Sequence, residues 1–510
     1  MGSIKKQRYS LRSAFSAENC IAILLIALVT IFFWYRYTRD LQQTDTYAKW
    51  FYSIGAYRGQ YKTNARLGEW IYMEFFYRIM GEPQHFRAFH VSVGIVLDIA
   101  VVFILWKVIC FGCGLQDVKW RFFTLLPTIM LRANVFYSDI FQFGVDTAPM
   151  FIGDLFAVIA ALFITGFWGK CSFLLGTLSL CTSLMFRQTC LFWFIFTGLL
   201  IIFFECVNCR YTVFLKRIFP LVISAMIAVL PVLLFINLIA PPGSRGSFSQ
   251  MDLSGAWTSL RTKFAALICD CDGVQPRWFY SILLGTAFGL NIPIWISCFR
   301  KNGRTALLSL LAQEITVTLG VLFGTFFTVF FEHYLPHRTV YGFATIFPLW
   351  IIFAIRSIKL NPTIKKAFFP AISSCLLLAN LFVNYHYVQI IYQGMVHTNC
   401  VDQENARYYY RQILKYEEET GIVVHKLAWH FDKWYTWTLP GIIGAGALND
   451  RAYSAPWSQR EIFPFTVGRR FQIVPFDEDI YNKYFYEKNW DELSTDQILF
   501  IDDTVYIVLY

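Results

Sequence analysis

The chain has 510 residues, of which 56% are hydrophobic, 19% aromatic and only 15% charged. That balance is too apolar for a soluble protein and points to a polytopic membrane protein. The formal net charge of +10 is accounted for by basic loops facing anionic lipid, and it gives no argument for a nucleic-acid partner.

Apolar runs long enough to span a bilayer, ~20 residues each, recur about eleven times. They lie near residues 18–37, 88–110, 121–136, 148–167, 172–186, 189–206, 217–240, 278–298, 305–330, 339–355 and 368–389. The third and fifth are short for a span. The first follows Lys5, Lys6, Arg8 and Arg12 and has no small-residue cleavage site after it, so no cleavable signal peptide is read. Those cations place the N-terminus in the cytoplasm. Lys107, Lys119, Arg121, Lys170, Arg210, Arg300, Lys301, Arg304, Arg356 and Lys359 then collect on the same side. An odd number of spans puts the C-terminus outside.

The first outer loop, 38–87, opens with Asp45 and is charged and aromatic throughout. It breaks the charge rule by carrying Arg39, Lys49, Arg58, Lys62, Arg66, Arg78 and Arg87. Either an anionic partner sits there, or the loop's own acids, Glu69 and Glu74 among them, offset the cations. Leu67, Ile71, Phe75 and Ile79 recur at helical spacing, as in a helix lying flat in the interface. The second outer loop, 134–148, holds Asp139 and Asp146. Further outer loops span 241–277 and 331–338, the latter with Glu332, His333 and Arg338.

Charges within or near the spans are costly, about 2.5–3.5 kcal/mol each at mid-bilayer. Asp98, Asp154, Arg187 and Glu314 are such residues. An internal pair, for instance Arg187 with Asp98 or Asp154, would only hold helices together. Arg187 beside Gln188, at the outer end of the fifth span, could instead grip a lipid phosphate with paired hydrogen bonds. Acids from two separate outer loops, Asp45 and Asp146, suit general-base chemistry on a sugar hydroxyl. The competing reading is that such acids are solvated or cap helices.

The thirteen cysteines lie mostly in or beside spans and read as small apolar residues. Cys110-x-x-Cys113 and Cys206-x-x-Cys209 have metal-ligand spacing, but nothing nearby completes a zinc site. His333 and His337 are separated by Pro336, which argues against a helical metal pair. No Walker loop is present. No cofactor is read from the residues, and the need for a divalent cation is left open. From about residue 390 the composition becomes polar. Gln403–Thr420 has helical spacing and ends near Gly421, and the stretches 471–475, 498–501 and 505–510 read as strands. The expected architecture is a polytopic α-helical membrane domain, 1–389, followed by a small extracytoplasmic α/β domain, 390–510.

The chain resembles the bacterial glucosyltransferase II family, whose members are related to serotype-converting O-antigen glucosyltransferases. That family opens its first outer loop with Asp-Asp-aromatic-x-Arg and, fifteen to twenty residues on, Gly-Arg. Here the stretch is Asp45-Thr46-Tyr47-Ala48-Lys49, then Ala65-Arg66. The family's second-loop motif is similar to Phe141–Met150, which contains Asp146, and its Tyr-Gln pair to Arg187-Gln188. The resemblance implies a GT-C-class enzyme of the bacterial cytoplasmic membrane, inverting at the anomeric carbon. It implies a polyprenyl-phosphate sugar donor, glucose by analogy, and a surface polysaccharide or wall glycopolymer as acceptor. Asp45 would be the base, with Asp146 second. Lys49, Arg66, Arg187, Gln188 and Arg338 would bind substrate. A flippase for a lipid-linked glycan would need polar residues through the depth of the bundle, and here they crowd at the outer edge. A non-catalytic scaffold would tolerate neutralised loop charges.

Overall fold

The computed structural model describes residues 16–39, 41, 47, 49–52, 54–64, 66–165, 172–207, 209–238, 253–330, 335–360, 368–431, 438–444, 448–488, 490 and 493–509. Asp45, the first-named base, lies outside the described residues, as do Glu332 and His333. The chain begins with α1 (Ala17–Trp34), capped by the Ser16 hydroxyl, which accepts from the Asn19 amide at 3.3 Å. Two short helices follow, α2 (Ile54–Thr63) and α3 (Leu67–Met80). Next come α4 (Arg87–Gly112), α5 (Val118–Met130), α6 (Ser138–Phe141), α7 (Thr147–Ile164), α8 (Ser172–Phe186) and α9 (Leu191–Cys206). The bundle is completed by α10 (Tyr211–Leu238), α11 (Leu253–Asp270), α12 (Phe279–Phe326), α13 (His337–Val340), α14 (Ile346–Leu360) and α15 (Phe368–Thr420).

Among the described residues, eight helical stretches are long and apolar enough to cross a membrane. The expected segments 121–136 and 172–186 are shorter. α5 has 13 residues with Pro127 inside it, and α8 has 15. α9 is apolar all round and buried almost throughout, as is the first part of α14, so these two form the centre of the bundle. α10 and α12 keep exposed faces of Leu, Ile, Phe and Met, as lipid-facing helices do.

The expected segments 278–298 and 305–330 are the two arms of α12. The break is Gly303, at φ 80° and ψ 178°, a conformation open essentially to glycine alone. Trp295 Nε1 donates to Glu314 Oε2 at 2.9 Å across a separation of 19 residues. A straight helix would hold those residues ~28 Å apart. α12 therefore doubles back at Gly303, and Glu314 is held by the indole of the opposite arm.

Residues 134–148, expected as the second outer loop, are buried throughout. They form short 3-10 and α turns, and the α4 residue Arg87 anchors them. Its guanidinium donates to the carbonyls of Phe141 and Gln142 at 3.3 and 3.0 Å, and to those of Tyr37 and Leu41 at 3.2 and 2.9 Å. Gly144 sits at φ +56°, where a Cβ would stand 2.8 Å from Arg87 Cγ, so the turn needs glycine on both counts.

α15 runs unbroken for 53 residues, about 80 Å at 1.5 Å per residue. That is more than twice a bilayer's hydrocarbon thickness of about 30 Å. It crosses the 389/390 boundary without a break and ends where Gly421 turns to φ +74°. Its far part packs against a four-stranded sheet, β1 (Lys426–Phe431), β2 (Gln472–Ile473), β3 (Ile498–Ile501) and β4 (Thr504–Leu509). The strand order is β2-β1-β4-β3, with β1 parallel to both neighbours and β3 antiparallel to β4. Helices α16 (Pro456–Val467) and α17 (Glu478–Tyr484) lie between β1 and β3 in sequence. The core of this domain joins Tyr409 and Ile413 of α15 to Leu427, Ile462, Val505 and Ile507. It also takes in Tyr47 from the first outer loop.

Candidate functional site

Four of the named site residues meet in one place. Lys49 Nζ donates to Asp146 Oδ2 at 2.6 Å, and both side chains are buried. The Tyr61 hydroxyl, from α2, donates to the other carboxylate oxygen at 2.9 Å. Arg187 Nη2 stands 3.6 Å from Asp146 Oδ2, and its Nε donates to Glu69 Oε1 at 2.8 Å. Arg66 Nη1 reaches the second oxygen of Glu69 at 3.3 Å. Lys49, Arg66 and Arg187 set against Asp146 and Glu69 leave one positive charge over among the described residues.

Local structure explains how each side chain arrives. Asp146 ends a 3-10 turn and occupies the N-cap position of α7, yet its side chain makes no cap bond. An aspartate there usually accepts from the helix amides. Here the carboxylate serves the cations instead, so it is neither a solvated acid nor a cap. Arg187 sits at an extended break, φ −152° and ψ 138°, between α8 and α9. Arg66 precedes α3, and Glu69 lies one turn into that helix. At Gly68 a Cβ would stand 2.8 Å from the Phe186 ring, so glycine lets this turn approach α8. Ile71, Phe75 and Ile79, on the other side of α3, are exposed by 60, 65 and 62%, an apolar stripe facing away from the cluster. That arrangement suits a helix at the membrane interface.

Burial shapes the electrostatics. The Tyr61 phenol is pushed well above its usual range, first by burial and then by the charge of Asp146. Burial lowers the Arg66 guanidinium, against the pull of Glu69, and the neighbouring Arg187 cation adds to the lowering. The Arg66 side chain is 21% exposed, whereas those of Lys49, Glu69, Asp146 and Arg187 are 7% exposed or less. Its Nε has no hydrogen-bond partner among the described residues. Arg66 is therefore the most exposed member of the cluster, and its unused Nε donor is buried within it.

Arg338 does not join this group. Its backbone N–H donates to Asp139 Oδ2 at 2.9 Å and its Nη1 to Oδ1 at 3.1 Å. The guanidinium carbon lies 4.8 Å from the Phe143 ring centre, and Lys49 Nζ lies 5.9 Å from the same centre. Arg338 and Asp139 are thus a second pair, set beside the first across one aromatic ring. Gln188, half-buried, opens the 3-10 turn after Arg187.

Arg187 does not pair with Asp98 or Asp154. Arg132 holds both: its Nη1 donates to Asp154 Oδ2 at 2.8 Å and its Nε to Asp98 Oδ1. The Tyr137, Phe151 and Trp193 rings each lie 4.8 Å from this guanidinium. This is an internal brace between α4 and α7. The first-loop cations also divide. Lys49 and Arg66 enter the cluster, Arg58 and Arg78 meet Glu74 at the surface, and Arg87 binds carbonyls. From sequence Tyr61 carries no mark, and Glu69 is named only as one of the loop acids that offset the cations. Glu69 follows Arg66 at i,i+3, a spacing that brings side chains together on a helix, and this was the available hint.

Among the described residues, no group of three or more His, Cys, Asp or Glu is placed to hold a metal ion. Comparison with protein-family models, curated proteins and solved structures gives no match.

Proposed function

We propose that this membrane protein is a glycosyltransferase that moves a hexose from a polyprenyl-phosphate donor to a surface polysaccharide or wall glycopolymer. The observation that carries the reading is the convergence of Lys49, Arg66 and Arg187, from three separate elements, with one positive charge in surplus. A polyprenyl-phosphate sugar is a phosphodiester monoanion and would bring that surplus to zero. When the sugar leaves, the lipid phosphate gains charge, and fixed cations favour that change. Arg66, the most exposed cation of the cluster, is the first such a phosphate would meet.

In this reading an acceptor hydroxyl attacks the anomeric carbon from the face opposite the phosphate. The carbon–oxygen bond to phosphate breaks, the lipid phosphate departs, and the hydroxyl proton passes to a carboxylate. Asp146 already accepts from an ammonium and a phenol, which suits it to holding cations better than to taking a proton. The base is therefore assigned to Asp45. Four residues from Lys49, it is tethered within ~14 Å of that backbone position. The test supplies membranes carrying the full chain with labelled polyprenyl-phosphate hexose. Asp45→Asn should lower transfer 10²–10⁴-fold, the range for a lost general base, while the donor still binds. Asp146→Asn should weaken donor binding. Wild-type transfer by Asp45→Asn would sink the base assignment, and absence of any transfer by the wild type would sink the function.

A further inference from the structure

We propose that Tyr47 is a positioning residue through which the C-terminal domain fixes Lys49 on Asp146. On this view the domain is a working part of the site. Tyr47 is buried in the domain's own core, beside Tyr409, Trp429, Tyr453 and Phe463. Its hydroxyl accepts from Asn399 Nδ2, on α15, at 2.7 Å, and its ring meets Phe465 edge-on at 5.2 Å. Residues 47, 49 and 50 are helical, and side chains two apart on a helix point to opposite sides. Tyr47 therefore enters the C-terminal domain while Lys49 enters the bundle.

The neighbouring residues repeat the pattern. Trp50 lies edge-on to Phe465 at 5.2 Å and also meets His85 of the bundle at 4.9 Å. The Arg470 guanidinium stands 4.7 Å over the Phe51 ring. Lysine is a point charge on a flexible four-carbon stem. Its ammonium stays at one address only if its backbone is held, and here the hold comes from residues more than 350 positions away in sequence. The domain holds Tyr47, Trp50 and Phe51, and Lys49 among them reaches Asp146.

The consequence for catalysis rests on the donor-site reading, whereas the placement of Lys49 is testable apart from it. The experiment is amine acylation of the full-length protein in detergent, read by mass spectrometry at Lys49 with exposed Lys62 as internal standard. Wild-type Lys49 should be protected. Tyr47→Leu should raise its acylation at least tenfold, and Tyr47→Phe, which keeps the ring seat, should restore most of the protection. Phe500→Ala loosens the domain elsewhere, at its stack on Tyr416, and should leave Lys49 protected. In transfer assays Tyr47→Leu should raise the donor KM about tenfold, with a smaller effect on kcat. Unchanged Lys49 protection in Tyr47→Leu overturns the proposal, as does equal deprotection by Phe500→Ala. If the footprint behaves as expected and the wild type transfers no sugar, the positioning stands and the glycosyltransferase reading falls.

Discussion

At the scale of single residues, the cluster around Asp146 shows how buried charges depend on their partners. Removing one member of a buried pair leaves the other charged and dry, typically costing about 3–5 kcal/mol, whereas replacing both by apolar groups is often neutral. Asp146→Leu should accordingly lower unfolding stability by about that amount. Lys49→Met combined with Asp146→Leu should recover most of the loss, because Arg187 keeps Glu69. Denaturant unfolding in detergent measures both, and a double variant as unstable as the single would refute the pairing. The cost of a charge in an apolar chain marks Arg187, an acid in the second loop marks Asp146, and the family resemblance adds Lys49 and Arg66. They do not mark Tyr61, and they give Glu69 only as one loop acid among several. An acid in a charged loop and a tyrosine among many carry no mark until folding brings them against a cation.

At the scale of elements, hydropathy located the helices and glycine decided how one of them turns. Gly303 holds a backbone conformation that other residues adopt only at a cost of about 1–3 kcal/mol. No atom lies within 4 Å of the position its Cβ would take. Gly303→Ala should therefore destabilise the protein through the backbone alone. Gly285 and Gly289 also have open space but lie inside the helical arm. Alanine there should be neutral or stabilising by about 0.5–1 kcal/mol. Thermal unfolding of the three variants separates the cases, and equal effects would show that the turn is not strained for alanine. The burial of the stretch 134–148 is not legible in sequence for a related reason. The carbonyl-binding Arg87 that anchors it lies in another element.

At the scale of the whole molecule, the geometry fixes which parts share an end. The loop after α11 lies near the site, since His337 Nε2 is 3.2 Å from Asp272 Oδ2 and the adjacent Arg338 pairs with Asp139. The first arm of α12 then carries the chain ~36 Å away, so the Gly303 turn and the C-terminal domain occupy opposite ends of the bundle. By the positive-inside rule, Arg300, Lys301 and Arg304 predict a cytoplasmic turn. In sealed right-side-out membranes, an impermeant thiol reagent should label the exposed Cys400 and spare a cysteine placed by Asn302→Cys. Labelling of both, or the reverse order, would contradict this orientation. By itself the sequence determined the class of the molecule, the positions of its apolar helices and the polar C-terminal domain. These follow from local composition and period, which each segment carries alone. Only the tertiary structure decided that Lys49, Tyr61, Arg66, Glu69, Asp146 and Arg187 share one address, that Asp98 and Asp154 brace Arg132, and that Tyr47 belongs to the core of a distant domain. Those facts depend on which buried side chain meets which, and a linear pattern does not encode meetings across separations from 22 residues, for Arg132 and Asp154, to 352, for Tyr47 and Asn399.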